Sequence, residues 1–295
     1  MVMTLLTRPK KSVATVVVAS DGSGDFNTDG TADDVEIQAA VDSLPATGGC
    51  MYIKEGVYYL DNAIVINGPN ITIKGCGRST QITTNNAIIL FDVSPLIAFI
   101  NFTMEDIYLN GNNLATYGLY LDGSGYGSTI RGIWVEYCND GVYCSVNGTT
   151  FINNFLSHNI RYGIEITGWG NNILSSNYIG TSGTYGIYVN STSILNIISS
   201  NTLGQNPTGI YVNNGSGGMQ IITGNVFMAN ANYGLDLEDD KNIVTSNYFA
   251  NNDLLINSDY NEVNGNHFIS GAGFLSQIID NGSWNQIFNN FDHLS

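Results

Sequence analysis

Two carboxylates on one predicted strand are the chain's first candidates for acid–base chemistry. Asp236 and Glu238 are alternate residues of an extended segment, which places them about 6.8 Å apart along the strand. Inverting glycosidases hold their general acid and general base about 6.5–9.5 Å apart. The spacing therefore favours catalytic roles for Asp236 and Glu238, although a solvated acidic loop would show the same residues.

Further carboxylates extend this set of candidates. Asp239 and Asp240 crowd the following turn, where they would raise neighbouring carboxyl pKa values or bind a hard cation such as calcium. We predict no required cofactor and a possible calcium site at these two residues. Glu165 is the other catalytic candidate, with a partner from a loop that the sequence does not identify.

A column of tyrosines is predicted beside these carboxylates. Tyr-Gly-aliphatic-x-aliphatic recurs along the chain, and strand alternation directs the x position outward. The predicted outward column is Tyr120, Tyr143, Glu165, Tyr188, Tyr211 and Asp236. Tyrosine combines an apolar ring with a polar tip, which suits sugar binding, and Trp169 is predicted to extend the platform. Stacked tyrosines also stabilise a sheet face without any ligand, so both interpretations remain open.

Two repeats in step with each other set the elements that carry these residues. The glycines of the Tyr-Gly segments lie at 118, 141, 163, 186, 209 and 234, and asparagines that close a second motif lie at 154, 177, 201, 225, 247, 266 and 290. A β-rich repeat of about two dozen residues predicts a solenoid of stacked parallel strands. Asparagine tolerates a left-handed backbone, and stacked amides can hydrogen-bond one another along the axis. We therefore predict an all-β right-handed parallel β-helix of roughly ten coils with asparagine ladders at its corners.

The amino-terminal segment predicts a cap on the first coil. We divide the chain into a tail at 1–14 and a β-helix domain at 15–295, whose first part, 15–49, forms the cap. Within it, apolar spacing predicts a helix at about 33–44, with Asp33 and Glu36 as a capping pair.

The motifs of this segment resemble those of a known superfamily. Asp-Gly-Thr-Ala-Asp-Asp at 29–34, Ile-Gln-Ala-Ala-Val-Asp at 37–42 and a later Tyr-Ile-x-x-Gly-x-Tyr strand are similar to the opening of the pectin-lyase-like right-handed parallel β-helix superfamily. This superfamily includes pectate lyases, polygalacturonases, pectin methylesterases, alginate epimerases and phage tailspikes. The resemblance implies carbohydrate binding along the side of the helix, whereas none of the subfamily catalytic motifs is complete in this chain.

Composition and charge exclude other partners. The 295 residues carry a net charge of −16 with only nine Lys and Arg residues, so the chain lacks the basic stripe that nucleic acid binding requires. No apolar run is long enough to span a membrane. Residues 1–20 do not resemble a standard secretory signal. For an extracellular or virion-surface protein, this means that a signal was removed, that export follows another route, or that the protein is assembled into a particle.

Three functions fit these observations. The first is recognition of a polysaccharide or cell-surface glycan along the outward face of the Tyr-Gly strands. The second is a polysaccharide hydrolase or lyase that uses Asp236, Glu238 or Glu165. The third is a structural spike shaft; the carboxyl-terminal coil has no evident lid and would then dock a partner or a second copy of the chain.

Overall fold

The computed structural model describes residues 14–94, 101–123, 125–190, 192–213, 215, 218–271 and 276–294. Residues 1–13 lie outside the described part, so the division into a tail and a β-helix domain stays a prediction. The described chain is a parallel β-solenoid of about ten turns with one short helix near its start, as the repeats predict.

The elements follow in chain order. They are β1 (Thr15–Ala19), β2 (Phe26–Asn27), α1 (Asp34–Asp42), β3 (Gly49–Ile53), β4 (Gly56–Leu60), β5 (Ile64–Val65), β6 (Ile71–Thr84), β7 (Ile89–Val93), β8 (Thr103–Asn110), β9 (Tyr117–Leu121), β10 (Thr129–Arg131), β11 (Trp134–Glu136), β12 (Asp140–Cys144), β13 (Thr150–Ile152), β14 (Phe155–Ser157), β15 (Tyr162–Ile166), β16 (Ile173–Ser175), β17 (Tyr178–Gly180), β18 (Tyr185–Val189), β19 (Ile197–Ser199), β20 (Thr202–Gly204), β21 (Thr208–Val212), β22 (Ile221–Thr223), β23 (Val226–Met228), β24 (Tyr233–Leu237), β25 (Ile243–Thr245), β26 (Tyr248–Ala250), β27 (Asp253–Ile256), β28 (Glu262–Asn264), β29 (His267–Ser270), β30 (Ile278–Asp280), β31 (Gln286–Phe288) and β32 (Phe291–Leu294).

Each regular coil has three strands, and like strands of successive coils stack in parallel to form three faces. The first face contains β10, β13, β16 and every third strand after them to β31, and the second contains β11, β14, β17 and so on to β32. The long strands β6 and β8 run through both faces, which joins them into one 22-stranded sheet. The third face is a separate ten-stranded sheet from β5 to β30 that carries the Tyr-Gly segments.

The closing asparagines form the predicted amide ladder at the corner between the first two faces. At a representative step, the main-chain N–H and the side-chain amide of Asn177 both donate to Oδ1 of Asn201, at 2.9 Å each. Asn201 repeats the pattern on Asn225, and its amide also donates to the Leu174 carbonyl at 2.8 Å. Asn177 and Asn201 are buried, so the ladder satisfies main-chain groups that water cannot reach.

Two further ladders occupy the other corners. One contains Asn172, Asn196, Gln220, Asn242, Asn261 and Asn285, and the other contains Asn206, Asn230 and Asn252. The residue before each ladder amide has a left-handed backbone; Ser200 (φ 58°) before Asn201 is one example. The amides of the three corners lie five residues apart, as in Asn196, Asn201 and Asn206. From Asn172 to Asn252, variation in coil length is therefore confined to the side of the coil that includes the third face. In the next coil the third corner is held by Ser276, ten residues after Asn266.

The glycines of the Tyr-Gly segments permit the coils of the third face to stack closely. A Cβ atom at Gly186 would lie 2.6 Å from the Gly209 carbonyl oxygen, and one at Gly209 would lie 2.5 Å from that of Gly234. Real Cβ contacts do not reach these distances, so glycine recurs there for steric reasons.

The helix closes the amino-terminal end of the core and is shorter than predicted, spanning Asp34–Asp42. Its Ile37 and Ala40 are buried, as the apolar spacing predicts. The capping prediction is wrong, because the Asp33 side chain makes no cap hydrogen bond. Its carboxylate instead accepts hydrogen bonds from the N–H groups of Gly30 and Tyr59, at 2.8 Å each, and this ties the helix start to β4.

Candidate functional site

The outward column of the third face has the predicted composition. Strand register aligns Tyr120, Tyr143, Glu165, Tyr188, Tyr211 and Asp236 on successive coils, preceded by Asp92 and followed by Leu255. The four tyrosines are half-buried. Alternation within each strand was sufficient to place them.

The column is divided into two stacks of rings. Tyr120 lies 4.6 Å from Tyr143, with an angle of 12° between the ring planes. In the second stack Tyr185 lies 4.6 Å from Tyr211 at 6°, and Tyr188 lies 5.8 Å from Tyr211 at 5°. Ring faces therefore pack on one another, and edges and hydroxyls are what the column offers to a ligand.

The tyrosines that precede the glycines also reach the surface of the third face and were not predicted to do so. Tyr117 packs against Tyr120 at 5.0 Å, and Tyr162 packs against Tyr188 at the same distance. Simple alternation would direct them inward with Leu119 and Ile164. When β15 pairs with β18, Tyr162 lies opposite Tyr185 and Ile164 lies opposite Ile187, but the glycine between them has no register partner. The in–out alternation of side chains is therefore broken at this glycine, and both tyrosines of a segment reach the surface.

A buried ion pair separates the two stacks. The fully buried carboxylate of Asp140 accepts hydrogen bonds from Nε of Arg161 at 2.8 Å and from Nη2 at 2.5 Å. Arg161 also reaches Glu165 at 3.3 Å and lies 4.3 Å from the centre of the Tyr162 ring. Burial raises the pKa of Glu165, while Arg161 acts in the opposite direction. Glu165 thus has a defined cationic neighbour, which the sequence did not identify.

Asp236 and Glu238 meet at the other end of the column. Asp236 is 8% exposed, and its Oδ1 has no hydrogen-bond partner. Burial first, then the charge of Glu238 and a hydrogen bond to it, raises the pKa of Asp236 to about 7. Catalytic roles for both residues stay predictions.

The following turn uses its carboxylates to bind main chain. Asp239 accepts hydrogen bonds from the N–H groups of Gly218 and Asp240, at 2.9 Å each. Asp240 accepts one from the N–H of Asp259 at 2.8 Å. Within the described residues, no group of three or more His, Cys, Asp or Glu side chains is arranged to hold a metal ion. A calcium site at Asp239 and Asp240 stays a prediction.

Trp169 lies in a cleft at the corner that follows the third face. It is 80% exposed, and Tyr126, which the sequence analysis missed, is 60% exposed. Both line an open cleft of about 540 Å³ together with Ser145 and Asn147. Ser145 is hydrogen-bonded to Asp122, which in turn accepts from the Tyr120 hydroxyl at 3.3 Å. The cleft is thus continuous with the tyrosine column.

Comparison with known proteins agrees with this architecture. The family model described as "Right handed beta helix region" matches residues 87–254. The chain belongs to this family. A curated relative, a probable pectinesterase/pectinesterase inhibitor from Arabidopsis thaliana, is 37% identical over 79 residues, which cover 26% of this chain and 14% of the relative.

Solved structures share the fold at low sequence identity. ORF18 of Geobacillus virus E2 has a TM-score of 0.73 at 20% identity, over 93% of this chain and 61% of that one. DFA-IIIase from Arthrobacter chlorophenolicus A6, in complex with GF2, has a TM-score of 0.73 at 13% identity over 94% and 88%. The Dettilon tailspike protein has a TM-score of 0.71 at 16% identity over 94% and 62%. At these identities the likeness shows a shared right-handed β-helix fold.

One further finding concerns membranes. Among the described residues, no helix is both long and apolar enough to cross a bilayer.

Proposed function

We propose that this protein recognises a polysaccharide or cell-surface glycan through its third face, outside the cell or on a virion surface. The observation that carries the proposal is the cleft in which the exposed rings of Trp169 and Tyr126 stand beside hydroxyl and amide groups. Aromatic rings bind the apolar faces of sugars, and adjacent polar groups bind their hydroxyls. Structural neighbours that include a tailspike and a DFA-IIIase bound to GF2 support the proposal by analogy of fold.

The tyrosine column then has a secondary part in binding. The Tyr188 hydroxyl accepts a hydrogen bond from the Asn213 amide at 3.0 Å, and the Tyr120 hydroxyl donates to Asp122. We expect Tyr120, Tyr143, Tyr188 and Tyr211 to contact a glycan with their edges rather than their ring faces.

A glycan array followed by titration of the strongest ligand tests this function. Trp169→Ala should weaken binding at least tenfold, because it removes the most exposed ring of the cleft. Trp284→Ala is the matched control, since Trp284 is 76% exposed at the same corner of a distant coil and should leave affinity unchanged. Absence of binding to every glycan, or equal effects of both variants, would overturn the proposal.

A second candidate function is cleavage of the bound polysaccharide at Asp236 and Glu238. The observation that favours it is the proton that Asp236 retains up to about pH 7 beside the half-buried Glu238. A carboxylic acid that stays protonated near neutral pH is suited to donate a proton to a leaving group. Glu165, beside Arg161, is the alternative catalytic carboxylate.

Release of reducing ends or unsaturated products from neutral and acidic polysaccharides tests catalysis. Activity through the pair should fall as the pH rises past about 7 and should be lost in Asp236→Asn and Glu238→Gln. Unchanged activity in both variants would eliminate the pair, and loss in Glu165→Gln would assign the reaction to the other site.

The carboxyl-terminal coil provides a candidate docking surface for a partner or a second copy, as a structural shaft would need. Ile287 occupies the position at which Val263 and Val244 are fully buried on earlier coils, yet it is 38% exposed. Phe288 and Phe291 beside it are 40% and 51% exposed. Light scattering of the wild type and of Ile287→Lys tests association: a smaller mass for the variant supports docking, and two monomers exclude self-association.

A further inference from the structure

The strongest unassigned feature is a notch formed where one coil is shortened. Ladder steps from Asn225 to Asn247 and from Asn247 to Asn266 span 22 and 19 residues. In the longer coil, Ala231 and Asn232 separate the ladder amide from β24, whereas in the next coil β27 begins directly after Asn252. The register of these two strands also shifts at Gly234, which has no counterpart in β27. The corner of the shorter coil is therefore withdrawn from that of its neighbour.

The withdrawal opens a cavity of about 510 Å³. Ala229 and Ala231 give it small apolar walls, and Asn232, Asn251 and Asp253 line its rim. Part of the rim is held in place, since Asn251 Oδ1 accepts from the Gly271 N–H at 2.7 Å and Asp253 Oδ1 accepts from the Gln277 N–H at 3.0 Å. The notch is thus a fixed recess with apolar walls and polar edges, features shared by sites for small polar ligands.

The notch lies at the end of the strand pair that carries the two meeting carboxyls. Asp253 is in register with Tyr233, and Asp236 follows three residues later, about 10 Å along the strand. Asp236 is more than nine-tenths buried and has an unpartnered oxygen. A chain of sugars that reaches from the notch across β24 would pass over this pair.

The negative charge between the notch and Glu238 restricts the class of glycan that can bind along this path. Lys241 is the sole Lys or Arg of residues 162–295, whereas Asp236, Glu238 and Asp253 border the path. A polyanion would meet like charge without a compensating cation, which disfavours both its encounter and its binding. These carboxylates would not repel an uncharged sugar.

We propose that the notch between Ala229–Asn232 and Asn251–Asp253 is a subsite for an uncharged sugar unit of a glycan that crosses the third face over Asp236 and Glu238. The proposal rests on the proposed glycan recognition and adds to it a second contact region and a substrate class. It excludes polyuronates and sulfated glycans as preferred ligands of this region.

The test combines a glycan array of uncharged, carboxylated and sulfated glycans with a variant that fills the notch. The strongest ligand should be uncharged, and Ala231→Trp should weaken its binding at least tenfold. Ile160→Trp is the matched control, because Ile160 follows ladder residue Asn159 as Ala231 follows Asn230, and it is already 52% exposed. The control should bind within twofold of the wild type, and circular dichroism should confirm that both variants keep the β-rich fold.

The outcomes separate the two proposals. If glycans bind but Ala231→Trp binds them as the wild type does, the proposed subsite is wrong and glycan recognition stands. The same conclusion follows if the preferred ligands are carboxylated or sulfated. If no glycan binds the wild type, both are wrong. If Trp169→Ala and Ala231→Trp each weaken binding of the same uncharged ligand, the glycan spans both regions.

Discussion

The earlier and later coils of this solenoid hold their polar groups in different ways. Between Lys74 and Arg161, buried carboxylates are paired with cations, as in Glu105 with Arg131 and Lys74, or Asp140 with Arg161. From Asn154 onward, buried corners carry uncharged amides that hydrogen-bond from coil to coil. The same fold is thus maintained by ion pairs in one part and by amide ladders in the other. An amide both donates and accepts, so the same residue can be repeated along an axis, whereas a carboxylate only accepts and needs a cation beside it.

The largest effect should come from breaking a ladder in the later coils. Asn201→Ala removes an amide that accepts from Asn177 and donates to Asn225 and Leu174, and it leaves several buried groups without partners. At about 1–3 kcal/mol for each such group, we expect a loss of about 4 kcal/mol in the free energy of unfolding. Urea unfolding measures this loss, and hydrogen exchange locates it to the adjacent coils.

Asn232→Ala is the control for the ladder. Asn232 is exposed at a corner and outside the ladders, so its replacement should change stability by less than about 0.5 kcal/mol. Similar losses in both variants would mean that the ladders do not determine the stability of the later coils.

A somewhat smaller effect is expected from breaking an ion pair in the earlier coils. Arg161→Met leaves the fully buried Asp140 without its cation, which should cost about 3 kcal/mol. Arg131→Met should cost less, because Glu105 retains Lys74 at 3.5 Å. Thermal unfolding of both variants, and of Asp140→Asn combined with Arg161→Met, measures the difference. A double variant no more stable than Arg161→Met would argue against an uncompensated charge as the cause.

Asp236 and Glu165, the two carboxylates of the tyrosine column, should affect the free energy of unfolding differently as the pH changes. Asp236 has a folded-state pKa of about 7, above its ordinary value of 3.8, so the folded state favours its protonated form. Its destabilising contribution is absent below about pH 4, develops as the pH rises towards 7, and is complete above 7. Asp236→Asn should therefore stabilise the protein by up to about 2 kcal/mol at pH 8 and by nothing at pH 4.

Urea unfolding at pH 4 and pH 8 measures the gain in stability of Asp236→Asn. Glu165→Gln is the comparison variant, because it removes the other carboxylate of the same column. Glu165 has Arg161 at 3.3 Å, which offsets its burial, so its replacement should stabilise less at pH 8. An equal gain at pH 4 and pH 8 for Asp236→Asn would contradict titration of Asp236 as the cause.

The smallest effect concerns a single hydroxyl. Tyr188→Phe removes the hydrogen bond from Asn213 and keeps the ring stack, so stability should fall by about 0.5–1 kcal/mol. Tyr211→Phe is the control, because Tyr211 stacks on Tyr185 in the same way and the described residues give its hydroxyl no hydrogen bond. Thermal unfolding should separate the two variants; a larger loss for Tyr211→Phe would contradict the assignment.

Much of the fold could be predicted because identical residues recur at a fixed period. Asn177, Asn201 and Asn225 were predicted to stack, and they do. The ladder at Asn206, Asn230 and Asn252 was not predicted because Ser182 interrupts its series of asparagines, although a five-residue step from the predicted ladder would have located it. The predicted helix cap at Asp33 was wrong, since the carboxylate binds the N–H groups of Gly30 and of Tyr59, and Tyr59 is distant in sequence.

The candidate site was predicted only in part. Alternation placed Tyr188 and Asp236 correctly, whereas Tyr126, which forms an isolated bridge with Asn147, lies outside both sequence repeats. The meeting of Asp236 with Glu238 depends on side-chain orientation, which strand spacing does not determine. The notch arises from a difference in length between neighbouring coils, so it appears only when the coils are compared with one another.

The constant five-residue step between corner amides has a consequence for engineering this scaffold. One residue added between Asn196 and Asn201 would displace a side chain from the stack and leave the adjoining windings mismatched. The same addition on the third side would change only a loop, because the coils there already differ in length without any loss of the ladders. Grafted loops and new recognition surfaces therefore belong on that side, where a change in loop length leaves the first and second faces intact.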